Sequence, residues 1–247
     1  MAQGRSQIEG RVGDLPYRRV LLKLSGEALA GSRKIGIDPL VSEEIALALF
    51  HMQQAGLEVG VVVGGGNIFR GIEGATSGIG RVPADHMGMF ATVINGIALQ
   101  EILKRLGARV RVMNALGATD LVEPFNWAGA MRALGEREIV IFVGGTGHPF
   151  FTTDSCAALR AIQIEAEVLL KATNVDGVYD KDPHHFPDAK RFSRITYEEV
   201  LELRLAVMDL TAIALCRENR MPIKVFSIGS LWDAVSQLDF GSIVEER

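Results

Sequence analysis

Three largely apolar segments of this chain each lead directly into a loop of glycine and hydroxyl residues. The segments cover residues 19–24, 57–63 and 139–143, and the longest loop, at 144–153, reads Gly-Gly-Thr-Gly-His-Pro-Phe-Phe-Thr-Thr. Apolar segments of this length are typical of strands buried on both faces of a parallel sheet. Ligands of open α/β sheets bind beyond the carboxyl ends of the strands, so the loops predict a binding site there.

Segments with helical features alternate with these strands. The pair Asp38-Pro39 is an N-cap followed by proline at the first helical position, which predicts a helix to about residue 54. The pair Asp154-Ser155 is predicted to cap a helix to about residue 165, whose N-terminus favours a phosphate group. The alternation predicts an α/β fold, a three-layer α/β/α sandwich with a mostly parallel central sheet. Further strands are predicted at 110–113, 167–171 and 222–226, and further helices at 85–106, 127–134, 207–219 and 231–238.

The chain is predicted to form a single domain over residues 17–247, preceded by a flexible tail at residues 1–16. The tail contains Ile-Glu-Gly-Arg at 8–11, a familiar engineered protease-cleavage sequence, so it is either the remnant of such a sequence or a natural tail. Residues 180–188 are polar and punctuated by proline, which favours a flap over a site rather than a linker between domains.

The composition excludes several classes of protein. Hydrophobic residues make up 48% of the 247 residues, and 26 Lys and Arg against 30 Asp and Glu give a net charge of −4. This balance argues against a nucleic-acid partner, which requires a basic surface. The sequence has no apolar stretch of transmembrane length and no secretory signal, so no membrane partner is expected. The two cysteines exclude a disulfide scaffold and favour the cytoplasm.

Neither of two common phosphate-binding signatures is present. Gly31 and Gly36 have the glycine spacing of a P-loop, but Ile37 follows where a P-loop requires lysine. The dinucleotide-binding pattern requires glycine three residues after Gly66, where Phe69 stands. The chain is therefore expected to bind phosphate groups by another arrangement.

Charged side chains near the ends of the predicted strands suit phosphoryl transfer. Lys23 and Lys171 lie at the ends of two strands, and Arg70 follows the three glycines. Cations and backbone donors stabilise the negative charge that spreads over a transferring phosphoryl group. Asp154 is expected either to orient the two ammonium groups or to help hold Mg²⁺. The alternatives are surface lysines whose stems cover apolar surface and a plain helix cap at Asp154.

Five motifs, in matching order, resemble those of the bacterial uridylate (UMP) kinases, a branch of the amino-acid kinase superfamily. The resemblance runs from about Tyr17 to the end of the chain. The strings Gly-Gly-Gly-Asn-x-Phe-Arg-Gly and Phe-Phe-Thr-Thr-Asp distinguish this branch from relatives that phosphorylate amino acids. The motifs are Leu-Lys-Leu-Ser-Gly-Glu-Ala-Leu at 22–29, Val-Gly-Gly-Gly-Asn-Ile-Phe-Arg-Gly at 63–71, Asp-His-Met-Gly-Met at 85–89, the loop at 145–154, and Lys-Ala-Thr-Asn-Val-Asp-Gly-Val-Tyr at 171–179 with Asp182-Pro183.

This resemblance implies a kinase that transfers the γ-phosphoryl group of ATP to UMP, giving UDP and ADP in pyrimidine nucleotide biosynthesis. It implies that Lys23, Lys171, Asp154 and Arg70 are catalytic, and that Mg²⁺ is bound mainly through the ATP phosphates. It further implies two sets of binding residues. Those for ATP are Lys23, Leu24, Ser25, Gly26, Gly65, Arg70, Thr173, Asn174, Tyr179 and Asp182. Those for UMP are Gly64, Asp85, Thr146, Gly147, His148, Pro149, Phe150, Phe151, Thr152 and Thr153.

Individual roles follow from the same resemblance. Lys23 would neutralise the transition state, and Asp85 would accept hydrogen bonds from the UMP ribose. Without the resemblance, the sequence predicts that Asp85 is a helix N-cap and that Tyr179 is a packed aromatic residue. His148 departs from the family, which usually has asparagine at this position. A contact of the His148 side chain with UMP would alter the pH response or base recognition, whereas a backbone contact would change nothing, and we favour the latter.

The resemblance also implies activation by GTP, inhibition by UTP and assembly into homohexamers. Residues 31–36 lie where some members of the family have an effector loop, although the residue types are generic. The predicted helix at 85–106 carries more apolar side chains than one stripe requires. This excess is consistent with a subunit interface or with burial inside its own subunit.

Two other functions remain open from the sequence. A superfamily kinase for a carboxylate or a carbamate is disfavoured by Asp85 and by the double-threonine loop. A non-catalytic storage protein that binds metal oxyanions and ATP would be indicated by loss of the lysine pair or of Asp154, and all three residues are present.

Overall fold

The computed structural model describes residues 15–33, 35–70, 78–117 and 120–246. Residues 1–14, with the Ile-Glu-Gly-Arg sequence, lie outside the described residues, as do Lys34 and Gly71. The strands in the described ranges are β1 (Arg19–Leu24), β2 (Glu58–Val63), β3 (Val110–Asn114), β4 (Glu123–Pro124), β5 (Ile139–Val143), β6 (Val168–Thr173), β7 (Val178–Tyr179), β8 (Arg191–Phe192), β9 (Arg194–Thr196), β10 (Ile223–Ser227) and β11 (Ser242–Glu245).

Nine of these described strands form one sheet in the order β4-β3-β5-β2-β1-β6-β10-β11-β9. Its neighbours pair in parallel except for β10 and β11. β7 and β8 form a separate antiparallel pair. The helices seen in the described ranges are α1 (Gly26–Ala30), α2 (Pro39–Gln54), α3 (Arg81–Arg105), α4 (Trp127–Gly135), α5 (Thr153–Gln163), α6 (Tyr197–Glu202), α7 (Leu210–Glu218) and α8 (Leu231–Ser236), with a 3₁₀ turn at Ile228–Ser230.

Helices cover both faces of the large sheet, because successive strand side chains point to opposite faces. On one face, Leu22 and Leu24 of β1 pack in a core with side chains of α2, α3 and α8. On the other face, Leu21 of β1 packs in a second core with side chains of α4, α5, α6 and α7. This arrangement confirms the predicted three-layer α/β/α sandwich with a mostly parallel sheet. No described helix combines the length and apolar character that crossing a bilayer requires.

Side-chain hydrogen bonds at the N-cap set the starts of α2 and α5, at or close to the predicted positions. The Asp38 carboxylate accepts hydrogen bonds from the N–H groups of Leu40 and Val41, and Pro39 is the first residue of α2. The N-cap of α5 is Thr152, whose hydroxyl accepts from the N–H of Asp154. The prediction that Asp154 caps α5 is therefore wrong, since a hydroxyl two residues earlier takes that role.

Two other predicted helix starts are corrected by the structure. α3 begins at Arg81, so Asp85 lies in its second turn and is not an N-cap. α7 begins after Asp209, which accepts a hydrogen bond from the N–H of Ala212, whereas the sequence indicated a start at residue 207. In both cases apolar periodicity alone did not locate the cap.

Lys224 on β10 is fully buried, although it is a lysine in a central region of the sheet. Its ammonium group donates hydrogen bonds to the carbonyls of Ala234, at 3.0 Å, and Gln237, at 2.7 Å, at the end of α8. The ammonium nitrogen lies 4.9 Å from the centre of the Tyr17 ring. Burial lowers the pKa of Lys224 to about 8, with Asp239 opposing the shift and Arg194 adding to it.

The lowered pKa of Lys224 predicts a characteristic pH dependence of stability. Between pH 8 and the ordinary lysine pKa, the unfolded chain binds more protons than the folded chain at this residue, so stability rises as pH rises. We expect the free energy of unfolding of the wild type, relative to Lys224→Met, to increase from pH 7.5 to pH 10 in urea denaturation. The subtraction removes the titration of the other lysines and tyrosines. A difference that stays constant with pH would show that burial does not lower this pKa.

Candidate active site

The pairing of β1 with β6 places Lys23 directly opposite Lys171. The two strands are parallel and in register, with Lys23 paired to Lys171 as Leu21 is paired to Leu169. Since side chains alternate between the faces of a strand, both lysines lie on the face that packs against α5. The register therefore brings together two cations that are 148 positions apart in the sequence.

Asp154, in the first turn of α5, lies between the two ammonium groups. Its Oδ1 is 2.7 Å from the Lys23 Nζ, and its Oδ2 is 2.8 Å from the Lys171 Nζ. The three side chains are 10%, 13% and 15% exposed for Lys23, Lys171 and Asp154, so the pairs are shielded from water. Lys171 also donates a hydrogen bond to the carbonyl of Val207. We refer to Lys23, Asp154 and Lys171 as the lysine–aspartate triad.

The triad holds Asp154 ionised. Burial works to raise the pKa of Asp154, but the positive charges and hydrogen bonds of Lys23 and Lys171 outweigh it, and the pKa lies below its usual value. For Lys171, burial lowers the pKa, the charge of Asp154 opposes this, and repulsion by Lys23 adds to it, so the net shift is downward. These contacts agree with the first of the two roles expected for Asp154, the orientation of both ammonium groups.

Asp209 anchors the start of α5, and the sequence did not indicate this role. Its carboxylate accepts hydrogen bonds from the hydroxyls of Thr152 and Ser155, the latter at 3.0 Å, while it also caps α7. The cap of α7 was readable from an aspartate before a helix. Its contacts with α5, 54 and 57 positions away, had no local signal.

Glycines let the loops after β1 and β2 approach each other closely. A Cβ atom on Gly26 would lie 2.7 Å from the backbone nitrogen of Gly66, and one on Gly64 would lie 2.8 Å from that of Gly26. A Cβ on Gly65 would lie 2.7 Å from the carbonyl oxygen of Gly88 in α3. The glycines thus bring together the backbone N–H groups at the ends of β1 and β2 and let the second loop pack against α3. Backbone N–H groups in this arrangement suit the binding of phosphate.

Buried polar side chains of α3 fix these loops. Asn95, fully buried, donates to the carbonyl of Gly64 at 2.7 Å and exchanges amide hydrogen bonds with Asn67. The hydroxyl of Thr92 accepts from the N–H of Gly144 at 2.7 Å, at the end of β5. The sequence analysis missed Thr92 and Asn95, although polar residues within an otherwise apolar helix were a signal that could have found them.

A cavity of about 220 Å³ opens between the Gly64–Gly66 loop, the start of α3 and the loop after β5. It is lined by five of the residues assigned to UMP by resemblance, and by Gly65 and Arg70, which were assigned to ATP. Arg70, at its rim, is paired with Glu27 of α1. The assigned residues that line it are Gly65, Arg70, Asp85, Thr146, Phe151, Thr152 and Thr153.

Asp85 is the most constrained group in this cavity. Its side chain is 11% exposed, and both of its oxygens lie 2.8 Å from the Nε of Arg81. Its Oδ2 also accepts a hydrogen bond of 2.7 Å from the backbone N–H of Phe150. Asp85 therefore links α3 to the loop after β5.

A second cavity, of about 430 Å³, lies beyond the end of β6. Lys171 of the triad lines it together with Thr173, Tyr179 and Asp182, three of the residues assigned to ATP. Asn174 does not line this cavity. The Tyr179 hydroxyl donates to Asp176 at 2.7 Å, and residues 180–183 contribute to the wall, in agreement with the predicted flap.

A third cavity, of about 1000 Å³, lies on the other side of the loop after β5, between α5 and α7. Thr146 and Phe151 line both this cavity and the 220 Å³ cavity, and His148 lines only this one. The His148 N–H donates to the Thr146 hydroxyl at 3.2 Å. The buried guanidinium of Arg160 forms another part of the wall, 3.7 Å from the centre of the Phe125 ring.

The remaining assigned residues fall at the same end of the sheet. Ser25 caps α1 by accepting from the N–H of Ala28, and Leu24 is buried, so it offers only its backbone to a ligand. Gly147 has a φ of +80°, a conformation that glycine adopts at little cost. Pro149 lies in the same turn. Within the described ranges, no group of three or more His, Cys, Asp or Glu side chains is placed to hold a metal ion.

Comparison with known proteins gives consistent results. Residues 18–227 match the profile of the amino acid kinase family. The chain is 51% identical over 233 residues to the uridylate kinase of Pseudomonas aeruginosa, which covers 93% of this chain and 95% of that protein. The crystal structure of the UMP kinase from Bacillus anthracis superimposes with a TM-score of 0.90 at 36% identity, over 94% of this chain and 97% of that one.

The crystal structure of the UMP kinase from Ureaplasma parvum gives a TM-score of 0.88 at 37% identity, over 93% of this chain and 99% of that one. The matches to sequence and structure thus agree and extend over almost the full length of the proteins compared. This chain belongs to the amino acid kinase family, in its uridylate kinase branch.

Proposed function

We propose that this protein transfers the γ-phosphoryl group of ATP to UMP, giving ADP and UDP. The observation that carries the proposal is the lysine–aspartate triad between two cavities. Lys171 lines the 430 Å³ cavity, and Thr153, next to Asp154, lines the 220 Å³ cavity. The donor nucleotide would occupy the first cavity and the acceptor phosphate the second, so the transferring group would pass along the triad.

The chemistry requires charge stabilisation rather than a covalent nucleophile. The phosphate of UMP is already anionic at neutral pH, so no side chain must remove a proton from it. Lys23 and Lys171 would stabilise the charge on the transferring group, and Asp154 would keep the two ammonium groups in place. Backbone N–H groups of the loops after β1 and β2 would add donors at fixed positions.

We propose that Mg²⁺ enters with ATP and is bound by its phosphates. Asp154, the carboxylate nearest the transfer path, has each oxygen within 2.8 Å of a lysine ammonium, so its contacts are with cations of the chain itself. Bound to the phosphates, the ion would supply further neutralisation of their charge.

The ribose of UMP would be recognised by Asp85, and the phosphates of ATP would be faced by Arg70. In this structure Arg70 is paired with Glu27, both about half exposed, so the pair is weak and the guanidinium can also contact an anion. On the donor side, Thr173, Tyr179 and Asp182 would contact the adenosine. Asn174 is proposed there only through its place in the motif.

Assembly, regulation and location are also proposals. We propose a single catalytic domain over residues 17–247 that acts in the cytoplasm as a homohexamer, with GTP as activator and UTP as inhibitor. The exposed apolar side chains Met87, Phe90 and Ile94 lie on one side of α3, at 42%, 54% and 51% exposure. A stripe at this spacing supports a contact between α3 helices of two subunits.

A substrate panel tests the proposed reaction directly. Release of ADP from ATP and Mg²⁺ is measured with UMP, CMP, dUMP, carbamate and N-acetylglutamate as acceptors. We expect the highest turnover with UMP, and none with carbamate or N-acetylglutamate. Turnover of a carboxylate or carbamate would contradict the proposal, as would folded protein that binds ATP and phosphorylates no acceptor.

Removal of the first lysine of the triad should greatly reduce the rate. Lys23→Ala is expected to lower kcat by about 10²–10³-fold, as loss of a transition-state charge stabiliser does in other enzymes. Lys104→Ala, which removes a half-exposed lysine paired with Glu101 at the far end of α3, is the matched control and should retain full activity. Thermal unfolding verifies that both variants fold. Near-normal turnover by Lys23→Ala would exclude a catalytic role for this residue.

Substitutions in the two cavities should raise the KM values of different substrates. Asp85→Ala is expected to raise the KM for UMP by about tenfold or more, since hydrogen bonds to a charged group contribute about 1.5–3 kcal/mol. The KM for ATP should change little. Asp182→Ala, in the 430 Å³ cavity, should affect mainly the KM for ATP. The reverse pattern would show that the two nucleotides have been assigned to the wrong cavities.

A further inference from the structure

Arg81 occupies a position that is unfavourable for helix stability. It is the first residue of α3, a helix of 25 residues, and the positive end of the helix dipole lies there. The N-cap, Gly80, makes no side-chain hydrogen bond, and the first turn contains no acidic residue. A cation at this end costs about 0.3–1 kcal/mol. A residue that violates a local rule in this way is expected to have a functional reason.

The contacts of Arg81 converge on a single carboxylate. Its Nε lies 2.8 Å from both oxygens of Asp85, one helical turn later. An arginine that precedes its acidic partner by four residues is the less favourable orientation of such a pair on a helix. The stability of α3 therefore does not account for the pair.

The same carboxylate holds the loop after β5. Phe150 donates its backbone N–H to Asp85 Oδ2 at 2.7 Å and has a φ of +70°, which is uncommon for an aromatic residue. Its ring is 65% exposed and lies 5.4 Å from the guanidinium carbon of Arg81. Arg81, Asp85 and Phe150 thus form one cluster that joins the start of α3 to this loop, and we call it the Asp85 clasp.

The clasp leaves room for a ligand on Asp85. A carboxylate accepts at about four positions. Arg81 and the Phe150 N–H account for the three described hydrogen bonds, two of them on Oδ2. Oδ1 therefore has capacity for a further donor, and both Arg81 and Asp85 line the 220 Å³ cavity.

We propose that Arg81 is a positioning residue for the acceptor nucleotide. It fixes the Asp85 carboxylate between α3 and the turn at Phe150. Oδ1 of Asp85 can then accept a hydrogen bond from a ribose hydroxyl without rotation of the side chain. This inference rests on the proposed function, because the acceptor is taken to be UMP. Arg81 acts through Asp85 and does not itself contact the transferring group.

The test is a double-substitution cycle in steady-state kinetics without effectors. Arg81→Ala is expected to lower kcat/KM for UMP about tenfold through KM, with kcat at saturating UMP and the KM for ATP within about twofold of the wild type. Arg81→Lys should recover part of the loss, since an ammonium group can still pair with Asp85. In an Asp85→Ala background, Arg81→Ala should change kcat/KM less than about twofold.

Other outcomes would overturn the inference. An equal loss in the Asp85→Ala background would show that Arg81 acts on the nucleotide directly. A parallel rise in the KM for ATP, or a lowered melting temperature with unchanged kinetics, would indicate a purely structural role. Lys104→Ala, which removes another ion pair of α3, is the control and should leave all parameters unchanged. Failure of the proposed function would be distinguished from failure of the inference about Arg81, because the wild type itself would then not phosphorylate UMP.

Discussion

The ionic contact of Asp154 with two lysines is the constraint on which the rest of this site depends. Lys23 and Lys171 lie opposite each other on adjacent strands, where backbones are about 4.8 Å apart and like charges destabilise the pair. Both side chains are largely shielded from water, which strengthens the repulsion. The carboxylate of Asp154, in the first turn of α5, lies between them and offsets this repulsion. The Thr152 cap and the contacts of Asp209 fix the start of that helix, and with it the position of the carboxylate.

Helix α3 fixes the positions of the loops at the ends of the strands. Four of its residues each hold a loop at the end of a strand: Asn95 holds the Gly64 carbonyl, Gly88 contacts Gly65, Thr92 binds Gly144, and Asp85 binds Phe150. The polar side chains are buried or nearly so, and each forms a hydrogen bond with a backbone group of a loop. A single rigid helix thus sets the spacing between the loop after β2 and the loop after β5.

The sequence predicted the parts of this fold that have strong local signals. Strands β1 and β5 and helix α2 have the predicted bounds, because apolar runs and the Asp38-Pro39 cap are local features. The short strands β4, β9 and β11 were missed because segments of two to four residues carry too little periodicity. The lysines and Asp154 were predicted as a group, and their contact is present. Asp209, which holds the start of α5, and Asn95, which holds the loop after β2, act across long sequence separations that no local pattern reports.

The charge of the triad suits this end of the sheet to binding a phosphate group. Two ammonium groups and one ionised carboxylate give a net charge of +1 at the end of the sheet, and the lowered pKa of Asp154 preserves it at neutral pH. A site of this sign attracts phosphate, and its one carboxylate is paired with two cations of the chain. The chain therefore provides fixed cations and backbone donors at the place where a phosphate group would bind. Asp154 keeps the two like charges together at the end of the sheet.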